Sequence, residues 1–124
     1  MATPLARVRG LGSAHRGTET FWRQRVTALA NIPLVIFLIF SLVAHVGSSY
    51  EEVRSYLANP LVALAMLALV ISASIHMRIG LREIVEDYVH NEYRRILFIL
   101  LATFFAWGIG LACVYAMVKI SLGA

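Results

Sequence analysis

VTALANIPLVIFLIFSLVAHVGSSY, residues 26–50, contains no Asp, Glu, Lys or Arg, and the same holds for residues 55–77 and 96–118. These windows hold 25, 23 and 23 residues, against the roughly 20 apolar residues, at about 1.5 Å rise each, that a bilayer core requires. Three membrane-spanning helices are expected, over about 22–47, 60–88 and 94–121, in a single all-α integral membrane domain covering residues 1–124. A cleaved secretory signal is the rival for the first window, but its apolar region normally runs only about 7 to 15 residues, and two more spans follow here.

Composition agrees. Of the 124 residues 60% are apolar and 15% charged, where a soluble chain carries about a quarter charged. The lone Cys113 lies inside the third window, which excludes an intrachain disulfide and a cysteine-rich metal site and leaves packing as its expected role.

The cations set the orientation. Arg7, Arg9, Arg16, Arg23 and Arg25 precede the first span, Arg78, Arg82, Arg94 and Arg95 flank the second connection, and only Arg54 and Lys119 fall on the other side. Nine against two predicts a cytoplasmic N-terminus and a periplasmic C-terminus. The net charge of +4 therefore calls for membrane lipid and no nucleic acid.

Residues 1–20 read as a small, polar, basic cytoplasmic arm in which Gly10, Gly12 and Gly17 interrupt any long helix. It is either a tail that only sets topology or a docking element for a soluble partner. Phe21 and Trp22, beside Arg23 and Arg25, mark the headgroup interface. In the first span Thr27, Asn31, Ser41 and His45 share one stripe with Leu34 and Leu38, and such a face must point into a bundle because polar groups in hydrocarbon need partners. Pro33 removes one ladder hydrogen bond from this helix. Residues 47–59 read as an interfacial loop, and Asn59-Pro60 as the start of the second helix. Ala102, Ala106 and Gly110 give the third span a small-residue face suited to close helix contact.

The chemistry concentrates in SASIHMRIGLREIVEDYVHNEY, residues 72–93. At about 100° per residue, His76, Gly80, Glu83 and Asp87 fall within roughly 60° of arc. A neutral imidazole in a membrane helix can ligate haem iron, and a glycine one turn away leaves room for a flat macrocycle or a close helix. The same pattern also suits a buried histidine bonded to a neighbouring helix. His45 lies some 30 Å from the arginine-rich end of its helix and His76 only about 12 to 18 Å from that end of its own. The two are thus poorly placed to clasp one iron, and His45 reads as structural. Asp87 and Tyr88, near the headgroups, are a carboxylate with water access and a phenol that can hydrogen-bond a quinone carbonyl. They also suit a plain interface anchor. Glu83 and Glu86 are expected to pair with Arg78, Arg82 or neighbouring lipid and protein.

The run HMRIGL, residues 76–81, followed by Asp87-Tyr88-Val89, resembles the second helix of the hydrophobic membrane-anchor (D-type) subunit of succinate dehydrogenase. FWRQRVTA, residues 21–28, is similar to the entry of the first helix in bacterial members, so the resemblance covers most of the chain. It implies a subunit of succinate:ubiquinone oxidoreductase, complex II of the respiratory chain and tricarboxylic acid cycle, in the bacterial cytoplasmic membrane. The implied partners are a cytochrome b anchor subunit, an iron-sulfur subunit and a flavoprotein subunit. His76 would be an axial ligand of haem b, with the opposite histidine from the cytochrome b subunit. Tyr88 would bind ubiquinone, Asp87 would support that site, and Arg25 or Arg23 would neutralise a haem propionate or border the quinone pocket. No complete catalytic site is expected in this chain alone. The alternatives are the anchor of a related fumarate reductase and a non-redox structural or transporter-associated membrane subunit.

Overall fold

A computed structural model describes residues 3–10 and 16–123; Gly12 and the rest of residues 11–15 of the arm lie outside the described residues. The described chain is helical with short turns: α1 (Pro4–Val8), α2 (Arg16–Ala44), α3 (Tyr50–Ala58), α4 (Pro60–Tyr88) and α5 (Glu92–Ser121). Three of these, α2, α4 and α5, are long and apolar enough to cross a membrane.

Local chemistry fixes the boundaries. Gly10 closes α1 with a φ of +66°, the left-handed conformation that glycine adopts without steric cost. Gly17, expected to interrupt the arm, lies instead in the first turn of α2, which starts earlier than the anticipated entry near residue 22. That helix runs through Pro33 and stops at Ala44, before the expected end near 47, and the chain turns through Gly47 at φ +81°. The Asn59 side chain accepts a hydrogen bond from the Leu61 N–H, and Pro60 occupies the first turn of α4, where its missing donor costs nothing. Asn91 caps α5 through the Arg94 N–H, which moves its start back to Glu92.

One expectation is overturned. Residues 47–59 are not an interfacial loop, because α3 fills most of the segment. Ser49 opens it with a reciprocal capping box, in which its side chain accepts from the Glu52 N–H while the Glu52 carboxylate accepts from the Ser49 N–H at 2.7 Å. Arg54, on α3, donates to the Gly123 carbonyl at 3.2 Å and ties the segment to the end of α5.

The three long helices stand in a row. α4 packs against α2 on one side and α5 on the other, while among the described residues no Cα of α2 comes within 8 Å of one in α5. The stripe anticipated on the first span is the face that meets α4: Thr27, Asn31, Leu34 and Leu38 are half-buried and Ser41 is buried. On the other side Ala106 is 1% exposed. A Cβ added at Gly110 would meet Ser74 Oγ at 2.8 Å, so the small-residue face does bring two backbones close. Cys113 is exposed within this chain.

Packing is uneven along the row. The apolar core of Ala63, Met66, Leu69 and Met117, with Leu34, Phe37, Leu38 and Leu57 against it, lies toward the end that carries α3. Toward the opposite, arginine-rich end α2 and α4 hold polar side chains and border a cavity.

Candidate functional site

His76 is half-buried on α4, on the side that faces α2. Its Nδ1 lies 3.3 Å from Thr27 Oγ1. One turn earlier on α4, Ser72 donates to the Thr27 carbonyl at 3.3 Å, so two α4 side chains spaced by four residues hold one α2 residue. Thr27 appears in the sequence as one polar member of a stripe. Its pairing with His76 follows only from the antiparallel register of two helices, a long-range relation that no local pattern contains.

Two more polar groups line this contact. Gln24 Oε1 and Asn31 Oδ1 flank Thr27 by about one turn each, and both are buried without a hydrogen-bond partner among the described residues. Buried acceptors cost free energy when unpaired, more so at membrane depth.

Gly80, one turn from His76, opens onto the same contact. A Cβ there would meet Gln24 Nε2 at 3.8 Å, an ordinary van der Waals distance. No close approach within this chain demands the glycine.

One cavity lies toward the arginine-rich end and another at mid-height of the row. The first, about 560 Å³, is lined by Thr20, Phe21 and Arg23 of α2 and by Ile75, Arg78, Ile79, Arg82, Glu83 and Glu86 of α4. The other, about 260 Å³ and chiefly apolar, runs between α4 and α5 past Ser74, Arg78, Trp107 and Gly110. Arg78 lines both. The expected carboxylate pairing occurs as an Arg82–Glu86 ion pair at 2.8 Å, and Arg23 pairs with Glu19.

The remaining candidates are distributed differently. Of the two arginines considered at the entry of the first span, Arg23 borders the larger cavity, whereas Arg25 stacks on the Phe21 ring, 5.0 Å from its centroid. Asp87 and Tyr88 close α4 and line neither cavity; Tyr88 is 79% exposed. This chain thus gathers His76 with the polar face of α2 but does not enclose its terminal carboxylate and phenol.

His45 belongs to the far end. Its Nδ1 lies 2.8 Å from the Ser41 carbonyl, and its ring rests on Tyr56 at 4.2 Å between centroids. Tyr56 Oη also lies 2.6 Å from Ser41 Oγ. Ser41, His45 and Tyr56 lock α2 to α3. Thr27, which marks the level of His76, precedes His45 by about 27 Å of helix at 1.5 Å per residue, so the two imidazoles occupy different levels. Among the described residues no three His, Cys, Asp or Glu side chains converge to hold a bare metal ion.

Comparison with known proteins places this geometry. The chain is 33% identical to the succinate dehydrogenase hydrophobic membrane anchor subunit of Paracoccus denitrificans over 122 residues, 98% of this chain and 94% of the relative. It is 30% identical over 88 residues to the succinate dehydrogenase membrane anchor subunit of Reclinomonas americana, 68% of this chain and 73% of that one. The corresponding subunit of Rickettsia bellii is 26% identical over 101 residues, 81% of each chain. No solved structure matches significantly. Residues 1–110 match the model of the succinate dehydrogenase/fumarate reductase transmembrane subunits, and it is to this family of multi-pass membrane proteins that the chain belongs.

Proposed function

We propose that the chain is the hydrophobic membrane anchor of a succinate:ubiquinone oxidoreductase in the bacterial cytoplasmic membrane. It shares a haem b and a quinone-reduction site with a companion cytochrome b subunit, beneath the iron-sulfur and flavoprotein subunits. The observation that carries this reading is the state of His76. One ring nitrogen is engaged by Thr27, which leaves Nε2 to ligate iron. The donor set would suit a prosthetic group more than a bare ion: His76 would hold its iron from this chain, and the remaining coordination would come from the group itself and from a companion subunit. The cavity bordered by Arg23, Arg78 and Arg82 supports a group completed from outside. Arginines there suit the carboxylates of a haem propionate pair.

When bound, the haem supplies a one-electron relay. The rest falls to this chain's own residues. Tyr88 offers an O–H that donates to a quinone carbonyl oxygen, and Asp87 beside it offers a carboxylate that can hold a proton with access to water. Both are exposed at the end of α4, so the pocket around them is closed by neighbouring subunits. The distribution of arginines supports a cytoplasmic location for this end, on the side where a soluble dehydrogenase would dock.

The test is co-expression with the companion subunits and reduced-minus-oxidised spectroscopy of the purified assembly. A b-type band that His76→Ala abolishes or perturbs, together with a co-purifying succinate-oxidising flavoprotein, is the expected result. An assembly without the band and without the dehydrogenase would overturn the proposal. A partner that preferentially reduces fumarate would redirect it to the other branch of the family.

A further inference from the structure

Thr27 has one hydroxyl proton and three neighbours that could share it. Its Oγ1 lies 2.8 Å from the Arg23 carbonyl oxygen, 3.1 Å from that of Gln24 and 3.3 Å from His76 Nδ1. The carbonyl oxygens can only accept, so the proton lies toward them, and the shorter contact takes most of it. Turning the proton toward His76 would exchange the two shorter contacts for the longest one and leave carbonyl lone pairs facing hydroxyl lone pairs. Toward His76 the hydroxyl therefore acts as an acceptor, and Nδ1 carries the hydrogen. Ser72 fixes the backbone of the same threonine from one turn away, which holds this acceptor at a defined height on α4.

We infer that Thr27 is the positioning residue for His76. It sets the imidazole as the Nδ1–H tautomer, fixes the ring plane, and so presents the Nε2 lone pair to the haem iron. A hydrogen bond at the outer nitrogen of an iron-bound imidazole also raises the basicity of the ligand. Thr27 then tunes the group from a second helix without touching it. The inference rests on haem ligation by His76, as proposed above.

The experiment uses the assembled complex, with haem counted per flavin, and compares Thr27→Val, Thr27→Ser and His76→Ala by potentiometric titration and by electron paramagnetic resonance of the oxidised haem. Valine keeps the shape and removes the acceptor. The expected result is a haem reduction potential shifted upward, altered low-spin g-values and haem affinity lowered by about 10- to 100-fold. Serine restores all three. Should Thr27→Val fail to assemble, Thr27→Ala removes the same acceptor with less bulk and is read in the same way. A haem that His76→Ala removes, but whose potential and g-values are unchanged in Thr27→Val or Thr27→Ala, overturns the role of Thr27 and leaves the ligand assignment standing. A haem band untouched in His76→Ala overturns the ligand assignment, and the role of Thr27 with it.

Discussion

The same substitution at two glycines should have opposite outcomes. In Gly110→Ala the new Cβ would lie 2.8 Å from Ser74 Oγ and 3.3 Å from Ser74 Cβ, where optimal carbon–carbon separation is about 3.5 to 4.0 Å. The hydroxyl can rotate away, but the Cβ contact cannot be relieved by rotation. α4 and α5 must therefore part by a few tenths of an ångström, at the point where Ala106, one turn away, is 1% exposed. Overpacking of this kind costs about 1 to 3 kcal/mol, offset by up to about 1 kcal/mol from the better helix propensity of alanine. In Gly80→Ala the Cβ meets Gln24 Nε2 at 3.8 Å, so only the propensity gain of about 1 kcal/mol applies. The two variants should differ in stability by about 1 to 3 kcal/mol. Unfolding of the full chain in detergent, titrated with dodecyl sulfate and followed by tryptophan fluorescence and helical circular dichroism, measures that gap. A Gly110→Ala chain as stable as Gly80→Ala would refute the close-approach reasoning, while Ser74→Gly in the Gly110→Ala background should recover most of the loss. In the assembled complex Gly80→Ala carries a second readout: haem content that falls while the chain keeps its stability would show that the space beside Gly80 serves the prosthetic group.

Tyr88→Phe should lower quinone reduction with haem content unchanged and chain stability within about 0.5 kcal/mol, because the side chain is exposed; unaltered quinone kinetics would remove Tyr88 from the site. Tyr56→Phe deletes the 2.6 Å contact to Ser41 and should destabilise the chain by about 0.5 to 1.5 kcal/mol, leaving the haem spectrum as it was. His45→Gln likewise should leave the b-type band intact, and loss of the band would show that the depth reasoning is wrong. Ser49→Ala should cost about 0.5 to 2 kcal/mol and accelerate amide exchange selectively in α3; uniform protection across α3 in wild type and variant would mean that the capping box does not hold the segment.

The three spans were legible because burying an apolar helix in lipid requires long charge-free windows, and length alone then excludes most alternatives. The polar stripe from Thr27 to His45 was legible for the same reason, since a helix in hydrocarbon can turn such a face only inward. α3 was missed although its signal was present. Ser49 and Glu52 are spaced as a capping box, but the segment lies between two spans, and its charged residues, Glu51, Glu52 and Arg54, read equally well as a solvated loop. The contact between His76 and Thr27 was not legible, because it depends on how far two antiparallel helices slide past each other. That register is set by the packing of Leu34, Phe37 and Leu38 against the Ala63, Met66 and Leu69 face at the other end of the row. The stacking of Arg25 on Phe21 is an i, i+4 contact within one helix, a local relation that the sequence did offer, and it competes with any role in the cavity that Arg23 borders.

The unevenness of the packing bears on how half a site can be held ready. Only 6%, 22% and 11% of the most apolar windows of α2, α4 and α5 are buried within this chain, so most of each span must be covered by lipid or by other subunits. A row of helices with that little mutual burial needs one well-packed region to keep its register. The core beside α3, together with the Ser41–Tyr56–His45 lock, supplies it. Because the register is set at that end, the opposite end can leave Gln24 and Asn31 unpaired and Arg78 between two cavities without the helices sliding to satisfy them. The polar groups between α2 and α4 are therefore kept at fixed height by contacts remote from them. A substitution in the core, such as Leu38→Ala, should accordingly disturb the 3.3 Å approach of His76 to Thr27 as well as the stability of the chain.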